Sequence, residues 1–443
     1  MSERIPLIAH ASPEAPVAYR AGRPVAARQF LADVDRVAAL IPTGAAVLNA
    51  CTDRYRFAVG LAAAVTRDCI SLLPPTQTPE VVRRIRAMYP TAVHLTDQPH
   101  TTIDLPQILF PDAPATRATH WQVPLIPPER VVADVFTSGS TGLPLPHRKR
   151  WGSLRNCVRV SAARLGMSGT AVAVVATVPP QHMYGLETSV LMSMHSGGAI
   201  CAEHPFFPAD ICRVLASVPA PRALVSTPIH LRALLATNLE LPALQAVVSA
   251  TAPLDQALAR QVEERFGAPL LEIYGSTESG SMASRRPTRS GEWHLYSGVT
   301  LEKREERIWA SGGHIDAAVP LGDHIELLDG EHFMLGDRLQ DVVNIAGKRN
   351  SIAYLNHQLL AIPGVRDGAF FLPQESPDSP TGVVRLCALV VAPGMDSATV
   401  LRHLRERIDP VFLPRPLRLV NALPRNSTGK ISVQNLRSLI GQC

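Results

Sequence analysis

The chain of 443 residues is poor in paired cysteine, in long apolar runs and in charge. Its seven cysteines, Cys51, Cys69, Cys157, Cys201, Cys212, Cys387 and Cys443, are odd in number, widely spaced and never in a C-x-x-C pair. That pattern argues against structural zinc and against a disulfide framework, and makes a reducing, cytoplasmic compartment the expectation. No apolar run approaches the ~18 residues a membrane crossing needs. The stretch Ala58–Val65 is bounded by Arg56 and Arg67, so no membrane span is expected. The opening MSERIPLIAH has neither a long apolar segment nor a small-residue cleavage site, so no export signal is expected. Charged residues make up only 18 % against 46 % hydrophobic, a balance that reads as globular and not disordered. No internal repeat is visible, and the 39 prolines form no stretch long enough for a stalk.

The charge that is present is unevenly placed. The formal net charge is +5, yet Arg338 to Cys443 alone carry 13 Lys and Arg against 7 Asp and Glu, a net +6. Arg402, Arg405, Arg407, Arg415 and Arg418 form the densest part. One reading is a set of solvated helix faces; the other is a docking face for an acidic partner. No nucleic-acid partner is expected.

Helical and strand patterns alternate. Phe30, Val34, Val37 and Ile41 fall at helical spacing before the turn Pro42-Thr43-Gly44, and Ala45 to Leu48 then read as a buried strand. Strand-like runs follow at 131–136, 171–178, 223–226, 246–249 and 270–274. Residues 255–266 lie among them, with Leu258, Val262 and Phe266 as one helical stripe. The expected class is α/β: parallel-rich sheets covered by helices in a large N-terminal unit, 1–338. A small α+β unit, 339–443, should follow, with strands at 369–372 and 383–391, a helix at 398–408, and a flexible point near Arg338 to Asp341. In such sheets, sites form beyond the C-terminal ends of the strands.

The strongest local signal is Thr137-Ser138-Gly139-Ser140-Thr141-Gly142, directly after the run 131–136. Four hydroxyls and two glycines in six residues suit a loop that wraps phosphate oxygens. It is not a Walker loop: the required Lys is absent, and Gly429-Lys430 has Pro424 where the first glycine would stand. Four further stretches follow in order: Gln181-His182-Met183-Tyr184-Gly185, Tyr274-Gly275-Ser276-Thr277-Glu278, Gly322-Asp323 with Arg338, and Leu423 to Ile431. Together they resemble the adenylate-forming superfamily of acyl-CoA synthetases, peptide-synthetase adenylation domains and firefly-type luciferases. The resemblance runs from about Ala45 to Leu439.

That resemblance implies ATP and Mg²⁺ as cofactors and a site in named positions. The loop 137–142 would hold the β- and γ-phosphates, and Ala250, Thr251 and Ala252 would border the nucleotide. Tyr274 would stack on adenine, with Gly275 and Ser276 beside it. Thr277 would donate to the α-phosphate, Asp323 and Arg338 would meet the ribose, and Glu278 would hold Mg²⁺. Lys430 would bridge the attacking carboxylate and the α-phosphate. His182, Tyr184, Gly185, Gly280, Ser281 and Met282 would form the acyl pocket, and His182 would join Lys430 and Thr277 as a catalytic residue. The loop Asn344 to Arg349 resembles the segment that enters the site for thiol attack. Each position also has a plain reading: Tyr274 as core aromatic, Glu278 as surface charge, Asp323 as turn residue, Lys430 as surface lysine.

Three departures stand out. Leu145 and Pro146 replace the usual Lys and Gly after the phosphate loop, with Arg148 and Lys149 as candidate substitutes. Tyr354 and Asn356 stand where the family's motif carries glutamates. Residues 285–320 are short, as if a subdomain were trimmed.

No Asp lies near His182 to pair a substrate ammonium, so an aryl or fatty acid is expected and not an amino acid. Glu187 is read as a helix residue facing another protein group, with a phenolic hydroxyl as the alternative. The short length, the stretch Leu143-Pro144-Leu145-Pro146-His147 and the segment His182 to Glu187 look like ligases of bacterial aryl polyene and xanthomonadin-type pigment pathways. The expected reaction is adenylation of a hydroxybenzoate-like acid and transfer to the thiol of a holo acyl carrier protein. The alternatives are an aryl or medium-chain acyl-CoA ligase, and a non-catalytic nucleotide-binding relative.

Overall fold

The computed structural model describes residues 3–99, 103–112, 121–137, 145–251, 254, 256–305, 307–338, 342–345, 347–372, 385–423 and 436. The phosphate loop beyond Thr137, Ala252 and Lys430 lie outside them.

Two sheets form the frame. In the first, the strands Ala46–Asn49, Ile70–Leu73, Ala92–Thr96, Gln107–Leu109 and Val131–Thr137 run parallel, and Leu145–Arg150 closes one edge antiparallel to Val131–Thr137. In the second, eleven strands are ordered among the described residues. Its centre is the parallel set Leu270–Ser276, Ala246–Ser249, Arg222–Ser226, Ala173–Ala176, Ala199–Cys201 and Pro16–Arg20. Strands such as Ala46–Asn49, Ala173–Ala176 and Ala246–Ser249 are buried at every residue, which is why their sequences do not alternate and are apolar but for the closing Asn49 and Ser249.

The helix Arg54–Thr66 is buried along almost its whole length. Asp53 caps it by accepting from the Arg56 N–H, satisfying one of the free donors of the first turn. Arg54, fully buried, donates to the carbonyls of Ala176 and Val178, each at 2.9 Å, and to Ser189 Oγ at 2.6 Å. It thereby ties this helix to the loop that follows the strand Ala173–Ala176. The amphipathic helices Ala27–Ala38 and Gln256–Phe266 bury the stripes Phe30, Val34, Val37 and Leu258, Val262, Phe266 that the spacing predicts.

Past Leu270–Ser276 the second sheet turns antiparallel through Gly280–Arg285, Trp293–Leu295, His332–Arg338 and Asp323–Leu327. The short region 285–320 is an antiparallel three-stranded sheet, Val299–Arg304, Arg307–Gly312 and Ile315–Pro320, set beside the strand Trp293–Leu295. Further on, the hairpin Val342–Ile345 and Lys348–Ser351, the helices Ile352–Leu360 and Ser397–Arg405, and the strands Asp367–Phe371, Cys387–Val391 and Leu417–Leu419 enclose cores of their own around Leu355, Phe370 and Leu404, and around Phe371 and Leu389. The mixed α/β class is as expected. Among the described residues no helix is long and apolar enough to cross a membrane.

Candidate active site

A cavity of about 440 Å³ lies where the C-terminal ends of the strands of both sheets meet, the position at which open parallel sheets place ligands. Its walls bring together Thr137 from the first sheet, Ala250 and Thr251 after the strand Ala246–Ser249, Tyr274 to Glu278, and Asp323. At one end Tyr274 Oη donates to Asp323 Oδ2 at 2.7 Å. The Tyr274 ring packs against Trp293 and Phe333, so it is both core aromatic and cavity wall. Thr251 has φ +79°, a costly conformation for a β-branched residue.

The turn that presents Thr277 and Glu278 is held by its own ends. Ser276 N–H donates to Ser279 Oγ and Ser279 N–H to Ser276 Oγ, both at 3.1 Å. The Glu278 carbonyl accepts from Lys149 Nζ at 2.8 Å, and its carboxylate stands 3.5 Å from His147 Nε2. His147 also shares a hydrogen bond with Thr137 Oγ1 at 2.8 Å. Burial pulls the His147 pKa below its ordinary value although Glu278 opposes the shift, so at neutral pH the His147–Glu278 contact is not an ion pair. His147 and Lys149 were not assigned to the site from sequence, apart from Lys149 as a substitute cation. The signal was available: two residues apart on Leu145–Arg150, they share one face of a strand. Leu145, in the place of the family's lysine, is exposed.

At the other end His182 is neutral at physiological pH: burial pushes its pKa down to about 4, with Lys348 and His204 adding to the fall and Asp409 opposing it. Tyr184 lines the cavity while its hydroxyl donates to the carbonyls of Ser226 and Val248, each at 3.1 Å, fixing the ring against two strand ends. At Gly185 a Cβ would come 2.0 Å from the Pro179 carbonyl, so this glycine is required by packing. Gly280 and Ser281 line the cavity. Met282 does not: it is fully buried in the core with Trp293 and Phe333, because it falls on the opposite face of the strand Gly280–Arg285 from Ser281.

Glu187 has the protein partners expected of it. It lies in a π-helical stretch, Leu186–Leu191, and accepts from Ser281 N–H at 3.1 Å, Ser281 Oγ at 2.5 Å and Cys157 Sγ at 3.2 Å. Burial raises its pKa, the bonds from Ser281 and Cys157 pull it back, and the carboxylate also faces the cavity.

Gly347, Arg349, Asn350 and Ser351 close the cavity from the hairpin that contains Lys348. Lys348 pairs with Asp409. Of the two residues at the positions of the missing glutamates, Tyr354 is buried near Arg84 and Glu80, its hydroxyl pushed up to about 12 chiefly by burial. Asn356 accepts from the Phe370 N–H at 2.6 Å, joining helix to strand.

Residues 9–333 match the AMP-binding enzyme family. The chain belongs to that family. The adenylate-forming resemblance drawn from the motifs is thereby borne out. A 4-coumarate–CoA ligase of Halorhodospira halophila is 27 % identical over 315 residues, 67 % of this chain and 73 % of that protein. A 4-chlorobenzoate–CoA ligase of an Arthrobacter species is 23 % identical over 358 residues, 71 % of this chain and 67 % of that one. Among solved structures, o-succinylbenzoate CoA synthetase from Bacillus subtilis superposes with a TM-score of 0.82 at 17 % identity, covering 97 % of this chain and 96 % of that one. The amide bond synthetase McbA from Marinactinospora thermotolerans does so at 0.80 and 20 %, covering 96 % and 97 %. At these identities the likeness is one of fold. The expectation of an AMP-forming acid–thiol ligase is borne out at that level by the family and its CoA-ligase relatives.

Proposed function

We propose that the chain activates an aryl carboxylic acid of the hydroxybenzoate kind and passes the acyl group to a thiol. The acid's carboxylate oxygen attacks the α-phosphorus of ATP, the bond to pyrophosphate breaks, and acyl-AMP remains. The thiol then attacks the acyl carbon, and AMP leaves with the electron pair of the acyl–oxygen bond. The observation that carries the reading is the single cavity that joins Tyr274, Asp323, Thr277 and Glu278 to His182 and Tyr184, so that nucleotide and acid ends are continuous.

In this reading Asp323, bonded by Tyr274, takes the ribose end, Arg338 stands opposite Asp323 in strand register, and Thr277 meets the α-phosphate. Residues 138–142, Ala252 and Lys430 complete the nucleotide contacts in the roles the resemblance gives them. Neutral His182 flanks the acid without adding a positive charge. Among the described residues no three His, Cys, Asp or Glu side chains cluster as a metal cage. One carboxylate, Glu278, together with nucleotide phosphates is a donor set that suits Mg²⁺, whose charge would offset that of the phosphates. The smaller C-terminal unit, 339–443, is assigned to the thiol step, since Gly347 and Arg349 already face the cavity. A cytoplasmic location belongs to the same proposal.

For the acceptor we favour the pantetheine arm of an acyl carrier protein, on the net +6 of residues 338–443. The CoA ligases among the relatives favour CoA as the second reading. Carboxylate-dependent ATP–pyrophosphate exchange tests the adenylation: exchange with benzoates and none with amino acids is expected. Exchange confined to α-amino acids refutes the aryl reading, and ATP binding without exchange for any acid leaves the non-catalytic relative. Acylation of holo carrier protein against CoA at equal thiol concentration decides the acceptor.

A further inference from the structure

A second cavity of about 450 Å³ shares Met183, Glu187, Glu278 and Gly280 with the first and continues between the strands Leu145–Arg150 and Ile315–Pro320. It is lined by an unusual set for a space beside an aryl pocket: Lys149, Glu187 and His314, exposed by only 7, 2 and 7 %. Side chains that would ordinarily seek water are here turned inward.

Their hydrogen-bonding capacity is not used up. An ammonium has three donors, and Lys149 gives one to the Glu278 carbonyl. A carboxylate has about four acceptor directions; Glu187 meets the Ser281 N–H, the Ser281 hydroxyl and the Cys157 thiol. Neither ring nitrogen of His314 makes a well-aligned hydrogen bond among the described residues, although the ring lies beside the backbone of Ser279 and Ser281. Glu187, Cys157 and His314 converge on one point, and Lys149 lines the same cavity. A Cβ at Gly280, where φ is +73°, would stand 2.8 Å from Glu187 Oε1, 3.6 Å from Cys157 Sγ and 3.7 Å from His314 Cδ2. The glycine keeps open a space edged by all three.

We propose that this recess recognises a ring hydroxyl on the acid, which donates to Glu187 and accepts from Lys149. The inference rests on the adenylation reading above and names the specificity-determining end of the same site. A hydroxyl uses one spare donor of Lys149 and the spare acceptor of Glu187. An unsubstituted ring would leave both dry and unpaired, which costs more than the lost contact itself. A second carboxylate would add to three acidic side chains that line the recess, Glu187, Glu278 and Asp316, against Lys149 and Arg148. Burial lowers the Lys149 pKa, with Glu187 the largest of the charges that oppose the fall, so the two side chains are electrostatically linked across the recess.

The test measures kcat/KM in ATP–pyrophosphate exchange for benzoate, 3- and 4-hydroxybenzoate and benzene-1,4-dicarboxylate. One of the hydroxybenzoates should exceed benzoate by about tenfold or more, the worth of a hydrogen bond to a charged group, and the dicarboxylate should be the poorest. In Lys149→Met that preference should shrink to within about threefold, over and above any fall that both acids share from loss of the bond to the Glu278 carbonyl. Calorimetric affinities of wild type for benzoate and the hydroxybenzoates decide the matter if the variant does not fold; equal affinities overturn the assignment. Exchange with benzoates whose preference is unchanged in a folded Lys149→Met, or a preference for the dicarboxylate, overturns the recess while leaving adenylation standing. No exchange with any acid overturns both.

Discussion

Tyr274 Oη donates to Asp323 Oδ2 at 2.7 Å, linking the last parallel strand of the large sheet to its outermost antiparallel strand, 49 residues further along the chain. The bond orients a carboxylate that the proposal gives to the ribose hydroxyls, and it does so with a residue that itself walls the cavity.

Tyr274→Phe removes the bond and keeps the ring. Leaving one direction of a partly buried carboxylate unsatisfied costs about 1–2 kcal/mol. The expected outcome is a KM for ATP raised about tenfold with the KM for the acid little changed, and a small fall in Tm. Steady-state exchange kinetics with each substrate varied in turn checks this; an equal rise in both KM values would show that the bond supports the whole cavity and not its nucleotide end.

Much of the frame was legible because strands buried on both faces are mostly apolar and do not alternate. The runs at 246–249 and 270–274 reappear as Ala246–Ser249 and Leu270–Ser276, and the Leu258, Val262, Phe266 stripe as the buried face of Gln256–Phe266. Thr137, Tyr274 to Glu278 and Asp323 could be grouped in advance because they come in short contiguous motifs, and they line one cavity. The residues of the recess behind it could not. Lys149, Cys157, Glu187 and His314 are scattered over 166 positions, and each alone reads as a surface charge or a core thiol. Only the pairing of Leu145–Arg150 with Val131–Thr137 turns Lys149 inward. Met282 was misplaced for a related reason: the period of two in Gly280–Arg285 puts Ser281 and Met282 on opposite faces, and the motif alone does not say which faces the cavity.

Lys430 lies outside the described residues, and its role is tested by separating binding from chemistry. Lys430→Ala should abolish acid-dependent exchange while ATP affinity, measured by calorimetry, stays within about threefold of wild type, because a group acting on the transition state contributes little to ground-state binding. Supplied acyl-adenylate should still be consumed by the thiol. Exchange near the wild-type rate would remove Lys430 from the adenylation step.

Acid should destabilise the protein. Burial holds His182, His204 and His314 at pKa values of about 4 and His195 at about 3, below the ordinary 6.5. Between these values the unfolded chain binds protons that the folded chain does not, so the stabilisation is present above pH 6.5 and is lost as pH falls towards 4. Each such group contributes about 1.4 kcal/mol per pH unit in that window. Glu272, raised to about 7 by burial against the pull of Arg285, works in the opposite direction, as does Glu187. Four histidines outweigh two glutamates, so Tm should fall steadily from pH 6.5 to 4. A Tm that is flat or rises over that range would show that the imidazoles are protonated in the folded state.

The choice of thiol acceptor turns on the arginines. Arg402 and Arg405 are exposed on the last turn of the helix Ser397–Arg405, and Arg415 is exposed ahead of the strand Leu417–Leu419. An acidic carrier protein steered to this face should load more slowly as salt rises, because encounters between exposed charges are screened beyond about 8 Å at physiological ionic strength. Free CoA is also anionic but small, and it draws less on an extended patch. Reversing both charges, Arg402→Glu with Arg405→Glu, should therefore slow carrier loading at low salt by about tenfold or more, while ATP–pyrophosphate exchange, which involves no carrier, is unaffected. High salt should erase the difference between variant and wild type. If CoA is acylated as fast as holo carrier protein, or if neither salt nor charge reversal alters carrier loading, the arginines are solvated helix faces and the protein is a CoA ligase.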